Sequence, residues 1–404
     1  MKKVILILVA VIGMAGISRG DSWNQKNNFL GTGRSGAASF VIGNKAYYGT
    51  GTINPSTCLK DFWQYNPATD TWTQKADFGG SARSGCGAFA INGKGYIGLG
   101  YDPITMSNRS DFYEYDTASN TWTSKASFAG GGRAGVIAFA IDSEGYMGCG
   151  QTVSGNDTND FYRYDPSADS WTAKATFSGV AREGTVSFVI GNYGYAGMGS
   201  SNNSPVTDLY KYEPIADTWI AVGNFTGSGR FYAVAFTINN YAFVGTGYSQ
   251  SSNIYYTTFY QFNSTNNNWT QVASLPTTGR DGGAAFAVNN IGYYIGGFDS
   301  TVTGKFDVWE YLTPLGIPNY NILSLQTSIY PNPFTDKTTL TITGNPQNTT
   351  LNIFNIQGQK VKSLFIGNVT QFVIDRDDLS EGIYFYELID SNSKRLATGK
   401  MVVE

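Results

Sequence analysis

Along most of this chain, apolar residues alternate with polar ones in short stretches, the period-two pattern of half-buried β-strands. The stretches come in sets that recur about every 50 residues. Aligned on arginine, the copies begin at Arg34, Arg83, Arg133, Arg182, Arg230 and Arg280. Six residues on stands Phe40, Phe89, Phe139, Phe188, Phe236 or Phe286, and thirteen on an aromatic, Tyr47 in the first copy and Phe243 in the fifth. Seventeen on comes Gly51, Gly100, Gly150, Gly199, Gly247 or Gly297. A block such as Asp61-Phe-Trp-Gln-Tyr65 or Asp111-Phe-Tyr-Glu-Tyr115 follows, and then Trp72, Trp122, Trp171, Trp219 or Trp269 in the first five copies. A period of this length built from four short alternating segments predicts propeller blades of four antiparallel strands. Strand one carries the arginine and phenylalanine, and strand two the tyrosine and a terminal Gly-x-Gly. Strand three carries the Asp block, and strand four the tryptophan.

The sixth copy has no tryptophan after Tyr311, but Trp23 stands eleven residues before Arg34. Residues 21–26 are therefore expected to close blade six as its fourth strand, which would hide sheet edges that otherwise invite aggregation. Over residues 21–314 the repeat resembles the Kelch family. It departs from the Kelch pattern at the end of strand two, where only Gly296-Gly297 are adjacent glycines. The resemblance implies a six-bladed ring and admits sialic-acid mutarotases among its relatives. The Kelch-bearing copper oxidases need histidine ligands, and this chain has no histidine.

That zero also excludes a Ser-His-Asp triad, a His general base and His-ligated zinc. A formal charge of -3 argues against a nucleic-acid footprint. Residues 1–20 read as a signal peptide: Lys2 and Lys3 precede an eleven-residue apolar run, Val4 to Met14, too short to anchor in a bilayer. No other run approaches spanning length, so no transmembrane segment is expected. Three cysteines, Cys58, Cys86 and Cys149, do not make a disulfide scaffold.

Past a linker at 315–327 the period is lost. Alternating stretches at 338–343, 351–355, 372–374, 383–388 and 396–403 predict a small β-sandwich over 328–404. The fold class is thus all-β, a six-bladed propeller followed by a sandwich. Tyr330-Pro331-Asn332-Pro333-Phe334, the Leu351 to Gly358 stretch, Gly382-Ile-Tyr384 and Gly399-Lys400 resemble the C-terminal sorting domain of the type IX secretion system of Bacteroidota. The resemblance implies Sec export, then outer-membrane passage with the type IX machinery as partner, and a secreted or surface location.

Positions repeated in every blade must serve the scaffold, so function is sought where copies differ. The arginines are expected to pair with the Asp column of their own or the adjacent blade, and only Thr258 interrupts that column. The loop between strands two and three varies in length, and Tyr101, Tyr248 and Phe298 open it in three copies. The residue after each arginine reads Ser35, Ser84, Ala134, Glu183, Phe231, Asp281. Glu183 and Asp281 lie two blades apart with Phe231 and Tyr232 between, an arrangement suited to a sugar or a cation, or to acid–base work; solvated loop charges are the plainer alternative. No metal site, cofactor or catalytic residue is assigned. The run from Asn156 to Asp160 is too sparse for a calcium cage. The expected function is recognition of protein or glycan through this loop face. The alternatives are a carbohydrate-active enzyme of the sialic-acid mutarotase kind and a structural adhesin without a small ligand.

Overall fold

The computed structural model describes residues 21–313, 325–344, 346–390 and 395–404. The signal-peptide reading at 1–20 and most of the linker lie outside the described residues. The chain divides into two compact units near residue 315.

The first unit contains six four-stranded antiparallel sheets. Blade one runs Ala38–Ile42, Lys45–Gly49, Phe62–Asn66 and Thr71–Lys75, and the later blades repeat that order. Their first strands neighbour one another in a closed circuit that ends with Asp281–Val288 beside Ala38–Ile42. The blades interlock through their aromatic columns. Phe40 stacks on Tyr47 within its own blade, while Tyr47 and Phe62 meet Tyr115 of the next. A Cβ on Gly95 would fall 2.0 Å from the Phe40 ring, so glycine is what lets neighbouring sheets approach there.

Blade six takes its outer strand from the N-terminus: Ser22–Gln25 pairs with Val308–Leu312. The graft reproduces the contacts of the other fourth strands. Trp122 Nε1 donates to the Ala76 carbonyl at 3.1 Å, and Trp23 Nε1 donates to Ala273 at 2.9 Å. The Tyr115 hydroxyl donates to Asn120 at 2.7 Å, and that of Tyr311 donates to Asp21 at 3.0 Å.

The six repeated arginines are buried, and five of them pair with the aspartate of their own blade. Arg34 holds both oxygens of Asp61, at 2.6 and 2.8 Å, and donates to the Thr50 carbonyl at 2.9 Å. The corresponding carbonyls belong to Leu99, Cys149, Met198, Thr246 and Gly296. All six of these residues are left-handed, and five of them are not glycine. The arginine thus fastens a strained turn that follows strand two, which explains how Gly-x-Gly stands where adjacent glycines would be easier. One expectation is corrected here: in all six blades the arginine precedes strand one instead of lying in it. A left-handed residue two positions on breaks the alternation between the arginine and the strand that follows.

The second unit is a two-sheet sandwich. One sheet orders Gln326–Tyr330, Lys337–Thr343 and Gln371–Asp375; the other orders Lys360–Gly367, Thr349–Phe354, Gly382–Ile389 and Arg395–Val403. Its core includes Phe334, Leu340, Ile353, Tyr386 and Met401. One boundary is corrected: Leu325 is already buried in that core and a strand starts at Gln326, so the linker ends before 325. The strand Lys360–Gly367 adds to the expected stretches; its apolar residues face outward as often as inward, so it has no clear alternation. The sorting motif is a structural staple. Asn332 donates to the Lys400 carbonyl at 3.2 Å and accepts from the Val402 amide at 2.8 Å, while Phe334 is buried and Tyr330 exposed. The Tyr384 hydroxyl donates to the Ser380 carbonyl at 2.9 Å, and Gly399 leaves room for the Tyr386 ring. Gly358 and Gly382 have positive φ, at the turn after Phe354 and at a strand start, and Pro333 lies within the motif segment.

Candidate functional site

The residue two after each arginine is left-handed: Gly36, Gly85, Gly135, Gly184, Tyr232 and Gly282. Each donates its backbone N–H to the carbonyl of the one before, and Gly36 donates to Gly282 at 2.7 Å, so the six close a hydrogen-bonded ring. Five members are glycine, for which the left-handed region is free. Tyr232 adopts φ 52° there, at a cost of about 1–2 kcal/mol. A side chain kept at a position where the other five ring members are glycine points to use of that side chain.

One column before this ring, the two variable columns meet. Isolated bridges pair Ser35 with Thr52, Ser84 with Tyr101, Ala134 with Gln151, Glu183 with Ser200 and Phe231 with Tyr248. In blade six Asp281 pairs with Phe298 inside the sheet. The residue after the arginine and the residue after the glycine are thus cross-strand neighbours in every blade. In four blades the loop then turns back as a two-residue ribbon, such as Tyr101–Asp102 against Ser107–Asn108, a feature the sequence reading treated as plain loop.

These columns enclose a cavity of about 460 Å³. Its lining includes Tyr101, Glu183, Tyr232, Asp281 and Phe298, together with the glycines of the ring and hydroxyl or amide side chains such as Ser84, Asn108 and Gln151. Phe231 and Tyr248 do not line it. They pack on each other at 5.4 Å, and Tyr248 stacks on Tyr255 at 4.5 Å, so they brace the rim. The Tyr232 hydroxyl donates to Glu183 Oε2 at 2.7 Å. Burial pushes the Glu183 carboxyl up from its ordinary value, against the lowering effect of that hydrogen bond. Burial pushes the Asp281 carboxyl up to about 7. The Tyr232 phenol is held well above its usual range, first by burial and then by the charge of Glu183. No Lys or Arg is among the residues that line the cavity. Among the described residues, no cluster of metal-ligating side chains occurs, and Asp157 of the run once weighed for calcium instead accepts from Gln151 and from the Asn202 amide.

Of the residues singled out in the sequence, Tyr101, Glu183, Tyr232, Asp281 and Phe298 line this cavity and Phe231 and Tyr248 do not, while Thr52, Asn108, Gln151, Thr152, Val153 and the ring itself were not anticipated. The ring's signal was the Gly column two after the arginine, and the tyrosine that breaks it.

Comparison with known proteins separates the two units. Residues 328–404 match the family described as the secretion system C-terminal sorting domain. That domain marks proteins exported by type IX secretion to the cell surface or extracellular space. No curated protein matches the chain. Solved structures do, in 521 chains; one, described as "Structure of YjhT", is 16% identical with a TM-score of 0.60, over 71% of this chain and 96% of its own. Likeness at that identity shows the propeller fold, and a fold so widely shared assigns no ligand. No helix among the described residues is long and apolar enough to cross a membrane.

Proposed function

We propose that this is an exported recognition protein whose Kelch-like ring binds a neutral or amine-bearing glycan in the axial cavity. The reading rests on one observation: two half-buried carboxyls, one bridged by a strained tyrosine, face a cavity whose lining holds aromatic rings and hydroxyls but no cation. Rings such as Tyr101 and Phe298 offer faces on which a sugar can stack, and the carboxyls accept from its hydroxyl or ammonium groups. The volume lies in the range that small ligands occupy. A sialic-acid mutarotase-like activity fits less well, since a carboxylated sugar would meet carboxylates without a compensating arginine or lysine.

The test is an array of neutral, amino and sialylated glycans probed with the full chain. Neutral or amino sugars should bind and sialylated ones should not. Tyr101→Ala should weaken binding at least about tenfold, the usual cost of one stacking contact. Silence across the array would leave a structural surface role as the better account, and selective capture of sialylated glycans would reverse the charge argument.

A further inference from the structure

Arg230 is as buried as the other five arginines of its column, at 1% exposure, yet among the described residues it has no carboxylate partner. Thr258 stands where Asp61, Asp111, Asp160, Asp208 and Asp307 stand in the other blades. Its shorter side chain reaches one nitrogen only: Thr258 Oγ1 accepts from Nη1 at 3.0 Å. Nε donates to the Ser228 carbonyl at 3.0 Å and Nη1 also to Thr246 at 3.1 Å. Nη2 has no hydrogen-bond partner among the described residues, whereas Nη2 of Arg34 and of Arg182 each hold a carboxylate oxygen at 2.8 Å.

Two aromatic rings pack against this guanidinium, Tyr256 at 3.8 Å and Phe225 at 5.1 Å. In the other blades the residue at the Tyr256 position is Leu59, Arg109, Thr158, Val206 or Lys305, so the aromatic lid belongs to the blade that lacks the carboxylate. On the Thr258 side Nη1 is held by the hydroxyl, while Nη2 is the nitrogen that lacks a partner among the described residues. In the other blades that side meets solvent through the aspartate, whose side chain is 18% to 38% exposed, so the place is reachable from outside. Burial without a counter-charge pulls the Arg230 guanidinium down to about 10, which leaves it a cation at neutral pH. A buried cation left unpaired is costly, and a cation packed against two rings, with Nη2 at its edge, presents a planar fork matched to a carboxylate.

We propose that this edge of Arg230 binds a carboxylate group supplied from outside the chain, in the place that aspartate fills in the other five blades. The slot is separate from the axial cavity, whose lining includes neither Arg230 nor Thr258. It therefore stands whether or not that cavity binds glycan.

The experiment is thermal unfolding of the full chain at pH 7 in sodium acetate against sodium chloride at matched ionic strength. Acetate should raise the melting temperature saturably, by about 2 °C, because it binds the folded state alone. Thr258→Asp places the missing carboxylate in the slot. It should melt higher in chloride and lose the acetate-specific rise. Thr258→Asn fills the same volume without charge and should also lose that rise, which keeps the test decisive if the Asp variant folds poorly. Glucuronate as a further arm separates the sources: a rise with acetate alone assigns a free small acid, and a rise with both assigns an acid borne on a larger ligand. No carboxylate-specific rise in the natural chain, or an equal rise in the Asn and Asp variants, overturns the proposal.

Discussion

Blades one and five share one template and differ at the columns nearest the ligand face. In blade one Arg34 grips Asp61 bidentately, Ser35 follows, and Gly36 takes the left-handed place in the ring. In blade five Arg230 meets Thr258 in place of an aspartate, Phe231 follows, and Tyr232 holds the ring at positive φ. Both blades form the same four strands with the same pairing of first to second strand. The fold therefore tolerates the loss of a buried ion pair and a strained tyrosine together, provided both fall in one blade of six whose neighbours are regular. The departures change the polar partners: the Tyr232 hydroxyl donates to Glu183 of the preceding blade, and Arg230 Nη2 is left without a partner among the described residues. The irregularity is thus confined to one blade.

The ion pair offers the largest contrast. Asp61→Ala strands a fully buried guanidinium and should cost about 3–5 kcal/mol in urea unfolding, while Thr258→Ala should cost about 1 kcal/mol or less. Equal losses would mean that the two blades use their arginines alike.

The pH response of Asp281 comes next. Its folded-state pKa of about 7 lies above its ordinary value of 3.8, so between about pH 4 and 7 the folded chain binds more protons than the unfolded one. Stability from this group is then full below about pH 4 and is lost as pH rises through 7. Asp281→Asn should gain on the natural chain as pH rises, by about 2 kcal/mol or more at pH 8 relative to pH 4. A pH-independent difference would show an ordinary solvated carboxylate.

The ring position sharpens the comparison at the smallest scale of stability. Gly85→Ala, at φ 69°, should cost about 1–2 kcal/mol, whereas Tyr232→Gly should leave stability within about 1 kcal/mol of the natural chain. The second variant should nonetheless lose glycan binding at least about tenfold, a trade of function for backbone comfort. If Tyr232→Gly instead collapsed the fold, the tyrosine would be scaffold.

Much of this molecule is legible in its residues. The six arginines set the period, Trp23 marks where the outer strand of blade six comes from, and the ordered motifs from Tyr330 to Lys400 identify the tail. The variable columns after the arginine and after the glycine could also be picked out, because repetition exposes whatever does not repeat. Their pairing could not. Phe231 and Tyr248 are as aromatic as Tyr101 and Phe298, yet the first two brace the rim and the second two face the cavity. All four share the same two columns, and what sets the first two apart is ring-on-ring packing within blade five, Phe231 with Tyr232 and Tyr248 with Tyr255, which a linear alternation does not show.

The sequence by itself determined what is local and repeated: strand alternation, turn residues, the aromatic columns that only stacked blades can bury, and the export tail. The tertiary structure decided what depends on closure. Six left-handed residues spaced about 50 apart become one hydrogen-bonded ring only when the last blade meets the first. Only then do Glu183, Tyr232 and Asp281 face one cavity. Ring closure sets distances between residues far apart in the chain, and no local pattern encodes a distance.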